Sequence, residues 1–577
     1  MKDKNKKILL TVIEAILLYY WCIFLVNADS YYSPYFVLAV VAVIHRTISI
    51  SKKIQPSKQN KALLIIFSII LSLTVVLANY NLFHSIVSHA YRLIAIIEVF
   101  FGGFVVFKEC IIAITEFNIK NKTLILKNER LFFLSLWLII IFVDMFIFYT
   151  AQYPGIFTPD SISQVRQILT GVYTNHHPFY HTMIIKVFID IGINLFNNIN
   201  IGVALYSIFS IFVLATCFIY IIKTIYTITK NLNLTLIVYI CYLVYPVNIK
   251  YSFYMGKDVF FGAAVGIFVV TIYKVLNNIG KHKTNLIILF LSSLSMCLLR
   301  SNGLFVYIFS FIVFFILFFK KYKSINLLMI VVIALSIFLK YPVLKSLNVK
   351  QPDTIESLSI PAQQIARVIK DEKELTFEQK KLLSKVIDIK KIPVYYVSYF
   401  SDPIKDLVRE KDNQEYLKEH SKEYLNLYIQ LGLKYPQKYI EAWVDQTRGY
   451  WNSGYHFWRW ADGVSNNDLG VYPIINSKFF DSALTLYLME WQGSPIFTFF
   501  LSIGFMVWLL IMFVYKTAIY KRKDLFFIIV PPLLVITTLL IATPLYAEFR
   551  YAYAVSVTLP FIIAMGITTK NNIKNKQ

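Results

Sequence analysis

Residues 131–149 read LFFLSLWLIIIFVDMFIFY, with Asp144 the single charged side chain. A run of that length and apolarity crosses a bilayer as a helix, which satisfies its own backbone hydrogen bonds where no water can. Lys120, Lys122, Lys127 and Arg130 precede it, and Tyr153-Pro154-Gly155, a turn signal, follows it. Basic residues mark the cytoplasmic side of a membrane protein, so the run leaves the cytoplasm and emerges at the turn.

The same grammar recurs in both directions. Apolar runs fall at residues 8–26, 34–43, 62–78, 93–115 and 131–149, then at 201–222, 234–247, 259–275, 286–299, 304–319 and 327–339, and finally at 497–515, 526–541 and 551–567. Alternation across the membrane gives about fourteen spans. It places Lys223 and Lys230, Lys281 and Lys283, Lys320, Lys321 and Lys323, Lys516 to Lys523, and Lys570 to Lys576 on one side. Residues 182–196 are apolar but short, and they carry Lys186 and Asp190. As a span they would invert every later basic cluster, so they are expected to lie in the interface as a juxtamembrane helix.

The expected fold is therefore an all-α polytopic membrane protein in the cell membrane, with both termini cytoplasmic. Residues 1–130 form an N-terminal bundle of four spans. Residues 131–340 form a core whose first external loop is 151–200. Residues 341–495 form an extracytoplasmic, mainly helical domain, with helical patterning at 360–373 and 415–433. Residues 496–577 supply the C-terminal spans. Composition agrees: 57% of residues are hydrophobic and 16% charged, where a soluble domain carries about 25%. The net charge of +24 lies in short clusters between apolar runs, which argues against a nucleic-acid partner. Cys22, Cys110, Cys217, Cys241 and Cys297 all fall within apolar runs without a CxxC pair, which disfavours a disulfide framework or a zinc site.

Chemistry concentrates where spans meet the outer face. Asp160 follows Thr158-Pro159 just before a helical stretch, where Asp160 or Ser161 would cap the helix and Gln164 would close a capping box from Ser161. A carboxylate fixed there, between lipid and water, is also placed to act as a general base. His176-His177-Pro178 and His181 come next. His177 and His181 stand four apart without the glutamate of H-E-x-x-H, so the turn is expected to shape the loop or bind substrate. Lys257-Asp258, Arg300-Ser301-Asn302-Gly303 and Glu548-Phe549-Arg550-Tyr551 recur at the same depth. Charge at that level is costly unless it snorkels or serves a ligand, and arginine and lysine suit an anionic headgroup. In the external domain, residues 449–460 are densely aromatic, fit to rest at the interface or to stack on a sugar.

Tyr153 to Gly155, Asp160, His176 to Pro178, Arg300 to Gly303 and Glu548 to Tyr551 together resemble the GT-C glycosyltransferases, in a Gram-positive branch of that superfamily. The resemblance runs from Leu131 onward. It implies a sugar donor on polyprenyl phosphate and transfer on the outer face, usually with inversion, to an extracytoplasmic acceptor such as a cell-wall polymer, glycolipid or protein. It makes Asp160 the base, and Lys257, Arg300 and Arg550 the phosphate contacts, with His176, His177 and Glu548 beside the substrate. This sequence has Ser161 where many members carry a second acid, and His176-His177 where they carry a basic residue. No residue pattern requires a cofactor, and the use of a divalent metal stays open. The rival readings are a transporter or flippase of a lipid-linked or small substrate, a lipid-linked glycan polymerase or ligase, and a scaffold without turnover. Against the first stand the lack of repeated halves and the scarcity of charge at mid-membrane depth, where Glu98 and Asp144 lie near span ends.

Overall fold

The computed structural model describes residues 13–14, 16–19, 21–22, 60–119, 126–455 and 463–568. The expected span at 34–43, most of that at 8–26, and residues 456–460 of the aromatic stretch lie outside the described residues. The described chain is helical, and among its residues strand pairing is confined to isolated bridges.

Nine helices among the described residues are long and apolar enough to cross a membrane. The pair Leu232–Val244 and Pro246–Ser252, bent by 60°, makes a tenth if taken as one span. His282–Leu298, Gly303–Phe318 and Ile503–Ile519 are apolar but only 16 or 17 residues long. At 1.5 Å per residue such helices rise about 25 Å, short of the ~30 Å hydrocarbon core. Among the described residues, length and composition alone therefore give nine spans, or ten with the bent pair, and the expected spans at 8–26 and 34–43 fall outside that count.

The helix Glu129–Ala151 shows why these elements need lipid. Phe133, Leu136, Ile140 and Phe148 form its buried face at helical spacing, while Leu131, Leu134, Leu138, Phe142 and Tyr149 stay exposed on the other. Both faces are apolar, so the outer one has no place in water.

Contacts between helix ends sort the bundle into two ends. At one, Lys230 pairs with Glu129 at 2.8 Å, Lys516 Nζ donates to the Ile114 and Phe117 carbonyls, and Arg522 donates to the Tyr273 hydroxyl. Tyr322 donates to the Leu276 carbonyl there too. At the other, the Ser477 amide donates to the Thr150 carbonyl, Asn200 to the Gly470 carbonyl, and Arg300 to the Tyr551 carbonyl. The described basic clusters thus share one end, and the residues expected to carry chemistry share the opposite one.

This sorting also places the helix Phe179–Phe196. By length and apolarity it counts among the nine. Yet its first turn follows His177, with Tyr180 bonded to the Leu339 carbonyl, and its last turn joins Ile199–Thr229 beside Asn200. Both of its ends lie at the same end of the bundle, so it runs across that end rather than through the bundle. Lys186 and Asp190 pair along it at 2.8 Å.

The centre of the bundle is Lys257–Leu276, buried along almost its whole length. Gly262 and Gly266 let Phe549–Gly566 lie directly against it. A Cβ at Gly262 would stand 2.7 Å from Tyr553 Cδ1, and one at Gly266 would stand 2.7 Å from Val557 Cγ1. That close approach sets Arg550 beside Lys257.

Residues 354–447 form a small helical unit with its own core of Ile355, Ala366, Leu383, Val408, Leu417 and Leu431 among others. Its helices include Ser359–Lys370, Gln414–Glu419 and Ser421–Lys434. This core is narrower than the expected 341–495. The later helix Lys478–Gly493 packs instead on Glu129–Ala151, through Leu484 and Leu488 against Ala151. Tyr450 and Trp451 of the aromatic stretch are buried, with Trp451 stacked on Trp443 at 5.7 Å, so these two are packing residues rather than an interfacial display.

Candidate functional site

The segment after the first long helix is pinned on two sides. The Ile156 amide donates to the Phe253 carbonyl and the Met255 amide to the Ile156 carbonyl, while Phe157 exchanges backbone hydrogen bonds with Gly463 and Ser465. Gly155 has φ +130, a backbone region closed to most side chains, and any Cβ there would collide with Ser207.

The helix that follows is Pro159–Thr170, not one that opens at Ser161. Thr158 is its N-cap, and Ser161 closes the capping box that Gln164 was expected to close. Proline at the first helical position needs no N–H partner, which favours this earlier start. Ser161 Oγ also donates to the Met255 carbonyl at 2.7 Å, tying the helix to the strand-like turn before Lys257. Gln164 turns inward to His181 and Thr182. Asp160 therefore stands in the first turn, where the helix dipole favours an anion.

Asp160 Oδ2 accepts from two cations, Lys257 Nζ at 3.1 Å and Arg550 Nη1 at 2.9 Å. Burial works against its charge, but Lys257 and Arg550 outweigh burial and hold the carboxyl well below the usual carboxylate range. Lys257 also donates to His177 Nδ1 at 3.0 Å. Burial, with Lys257 beside it, pushes the His177 imidazole down to about 3, so it is a neutral acceptor there. His176 is exposed and touches His177 edge-on, with ring centres 4.7 Å apart.

Glu548 stands behind Arg550, its Oε1 3.2 Å from Nε. Burial, with Asp258 and Asp160 nearby, pushes this carboxyl up to about 7 against the pull of Arg550. Its amide is held by the Tyr450 hydroxyl, which itself donates to the Leu545 carbonyl.

Arg300 has a different duty from the phosphate contact expected of it. Its Nη1 lies 3.0 Å from Asp258 Oδ1 and donates to the Tyr551 carbonyl at 2.9 Å. Its guanidinium also sits over the Tyr551 ring at 4.8 Å. Asp258 adjoins Lys257 and Tyr551 adjoins Arg550, so Arg300 clamps together the two segments that supply the cations.

Of the residues singled out by sequence, Asp160, Lys257, Arg550, His177 and Glu548 thus converge on one cluster, His176 borders it, and Arg300 braces it. Sequence reading missed Tyr254, whose hydroxyl accepts from Arg550 at 3.3 Å. Among 40 tyrosines it carries no local signal, whereas Tyr450 belongs to the aromatic stretch 449–460 read above as an interfacial or sugar-stacking element. Lys257 and Arg550 fill the space at Asp160 Oδ2 that a divalent cation would take, and among the described residues no group of three histidine, cysteine or acidic side chains converges on a common point. The donor set therefore does not fit a metal. It fits an anion: a partly exposed lysine and arginine share a single carboxylate oxygen.

The family model DUF6020, described as a family of unknown function, matches residues 167–577, and the chain belongs to that family. The match begins at Gln167, just past Asp160, and contains His176, His177, Lys257, Arg300, Glu548 and Arg550. Among curated proteins and solved structures, none matches the chain.

Proposed function

We propose that this DUF6020 chain is a membrane glycosyltransferase of the GT-C type, moving a sugar from polyprenyl phosphate to an acceptor outside the cell. In this reading the bent pair and the shorter apolar helices also span and, together with the expected spans at 8–26 and 34–43, bring the total to about fourteen crossings, with the basic end of the bundle facing the cytoplasm. The Asp160 cluster then opens outward at headgroup depth, with residues 354–447 above it.

One observation carries the reading: Lys257 and Arg550 converge on the same oxygen of Asp160. A carboxylate held by two cations is a weak base. An incoming donor phosphate competes for those same cations and draws them off, and the Asp160 pKa then returns toward its ordinary range. The acceptor hydroxyl oxygen attacks the anomeric carbon and its proton passes to Asp160. The bond from that carbon to the phosphate oxygen breaks, and the electron pair leaves with polyprenyl phosphate. Lys257 and Arg550 stabilise the charge that develops on the leaving group. Arg300 keeps the two cations in register.

The test compares lipid-linked and surface glycans from cells carrying the wild-type chain or Asp160→Asn. The variant is expected to insert normally and to lose the glycan product. A wild-type glycan profile from a normally expressed Asp160→Asn chain would rule the base out.

A further inference from the structure

The helical unit of residues 354–447 is hollow. Its core holds a half-open cavity of about 310 Å³ walled by Ile355, Ile365, Ala366, Leu383, Val408 and Leu417 among others. Protein interiors are close-packed, with few voids larger than a water molecule. A water needs two to four polar partners to be stable inside, and this wall offers almost none. Tyr424 and Tyr428 present their rings to the space, since their hydroxyls are engaged by the Leu382 carbonyl at 2.9 Å and Gln364 Oε1 at 2.7 Å. Beyond those two, Thr354 and Ser421 are the only polar side chains on the wall. Left empty, the lining loses its dispersion contacts on one side.

The opening has a direction. Ser421 and Leu425 are the exposed members of the wall, and both belong to the helix Ser421–Lys434. Leu425, Ile429 and Leu433, spaced four apart on that helix, are 58%, 48% and 79% exposed. An apolar stripe thus runs along the outer face of the unit and enters the cavity at Leu425. The unit is also fixed to the end of the helix Lys523–Ala542: Trp443 Nε1 donates to the Leu540 carbonyl and Gln446 Nε2 to the Thr543 carbonyl. The unit is thereby anchored at one end of the apolar bundle.

We infer that this cavity takes one hydrocarbon chain of a bilayer lipid, guided in along Leu433, Ile429 and Leu425. Size, the nearly all-apolar wall and the connected stripe fit a flexible linear chain. The inference stands apart from the chemistry at Asp160.

The experiment uses the full chain in nanodiscs of a phosphatidylcholine that carries a photoactivatable diazirine on one acyl chain. Labelled peptides are mapped by mass spectrometry, with the adducts on the long apolar helices as internal reference. Adducts are expected on peptides within residues 354–428. Filling the cavity with Ala362→Phe and Ala366→Leu should cut them about fivefold relative to the reference. Leu425→Glu at the opening should act in the same direction, and since that position is exposed it decides the matter if the filled variant does not fold. The inference is overturned if residues 354–428 carry no adduct, or if neither well-folded variant changes the ratio. Because Asp160→Asn should leave the labelling intact, failure here is distinguishable from failure of the glycosyltransferase reading.

Discussion

Asp160 and Asp445 both sit among cations, yet they are opposite devices. Asp445 is 3% exposed and lies in a balanced network. It accepts from Tyr80 at 2.8 Å and from Arg367 at 3.3 Å, and Arg448 lies 3.5 Å away. Arg367 also pairs with Asp371 and Glu441, which Lys438 shares, so three acids meet three cations. The network ties residues 354–447 to Tyr80 in the N-terminal part of the bundle. Asp160 is 28% exposed and holds two cations on one oxygen. In the first arrangement the central carboxylate is buried and each cation can pair with a separate acid. The second puts two cations on one carboxylate oxygen at a partly exposed position, with Glu548 behind Arg550 and Arg300 turned to Asp258, and those two cations are the ones the proposed anionic substrate would draw on.

The largest effect expected of this contrast is at Asp160. Asp160→Asn should lower transfer about a thousandfold, the scale of a general base, in a chain that still folds. Asp445→Asn should do the reverse. It removes the charge of the buried carboxylate that the half-buried Arg367 and Arg448 share, and a broken buried ion pair costs about 3 kcal/mol of stability. Thermal melting of the purified proteins together with glycan product per folded chain separates the two. Equal loss of activity at both positions, with equal loss of stability, would erase the distinction between a site and a strut.

Arg550 sharpens it further. Arg550→Ala should raise the donor concentration needed for half-maximal transfer about thirtyfold, the worth of a charge-assisted hydrogen bond of ~2 kcal/mol. Arg550→Lys should recover part of that, because charge is kept while the fork geometry is lost. A donor titration in detergent or nanodiscs reads both, and an unchanged donor requirement in the alanine variant would remove phosphate from the site.

Much of the site was legible because bilayers make charge expensive. Asp160, Lys257, Glu548 and Arg550 stand out in sequence as ionisable groups where apolar runs end, and His177 as part of a turn beside them. Their convergence follows from the packing of Phe549–Gly566 on Lys257–Leu276, which the small residues Gly262 and Gly266 permit. What could not be read is pairing at long range. Nothing local says that Arg300 turns to Asp258 and the Tyr551 carbonyl instead of a ligand. The start of Pro159–Thr170 was misplaced for a similar reason: Thr158, Asp160 and Ser161 are all good caps, and a tertiary contact from Ser161 to Met255 bears on the choice. The hollow in residues 354–447 is likewise invisible in sequence, since amphipathic helices look alike whether their shared core is filled or not.

The smallest expected effect separates the groups around Arg550 by pH. Asp160, Glu548, Tyr254 and Tyr551 face its guanidinium, with Lys257, His177 and Asp258 just beyond. Asp160 is held well below the carboxylate range, so it stays charged from pH 5 upward, and its contribution to stability is lost only as pH falls through that depressed value. His177, near 3, stays neutral over the same window. Burial places Tyr254 near 12, far above it. Glu548 alone is raised to about 7 from an ordinary value of 4.5. Its sign is opposite to that of Asp160: the folded state favours its proton, so its contribution is full below 4.5 and declines as pH rises through 7. Ionised Glu548 holds Arg550 more tightly and competes with donor phosphate. The donor requirement should therefore rise about fivefold from pH 6 to 8, the scale of ~1 kcal/mol for a partly screened pair. Glu548→Gln should flatten that rise while Asp160 keeps its charge throughout. A rise that persists in the glutamine variant would mean that a group outside this cluster titrates, and that Glu548 only packs behind Arg550.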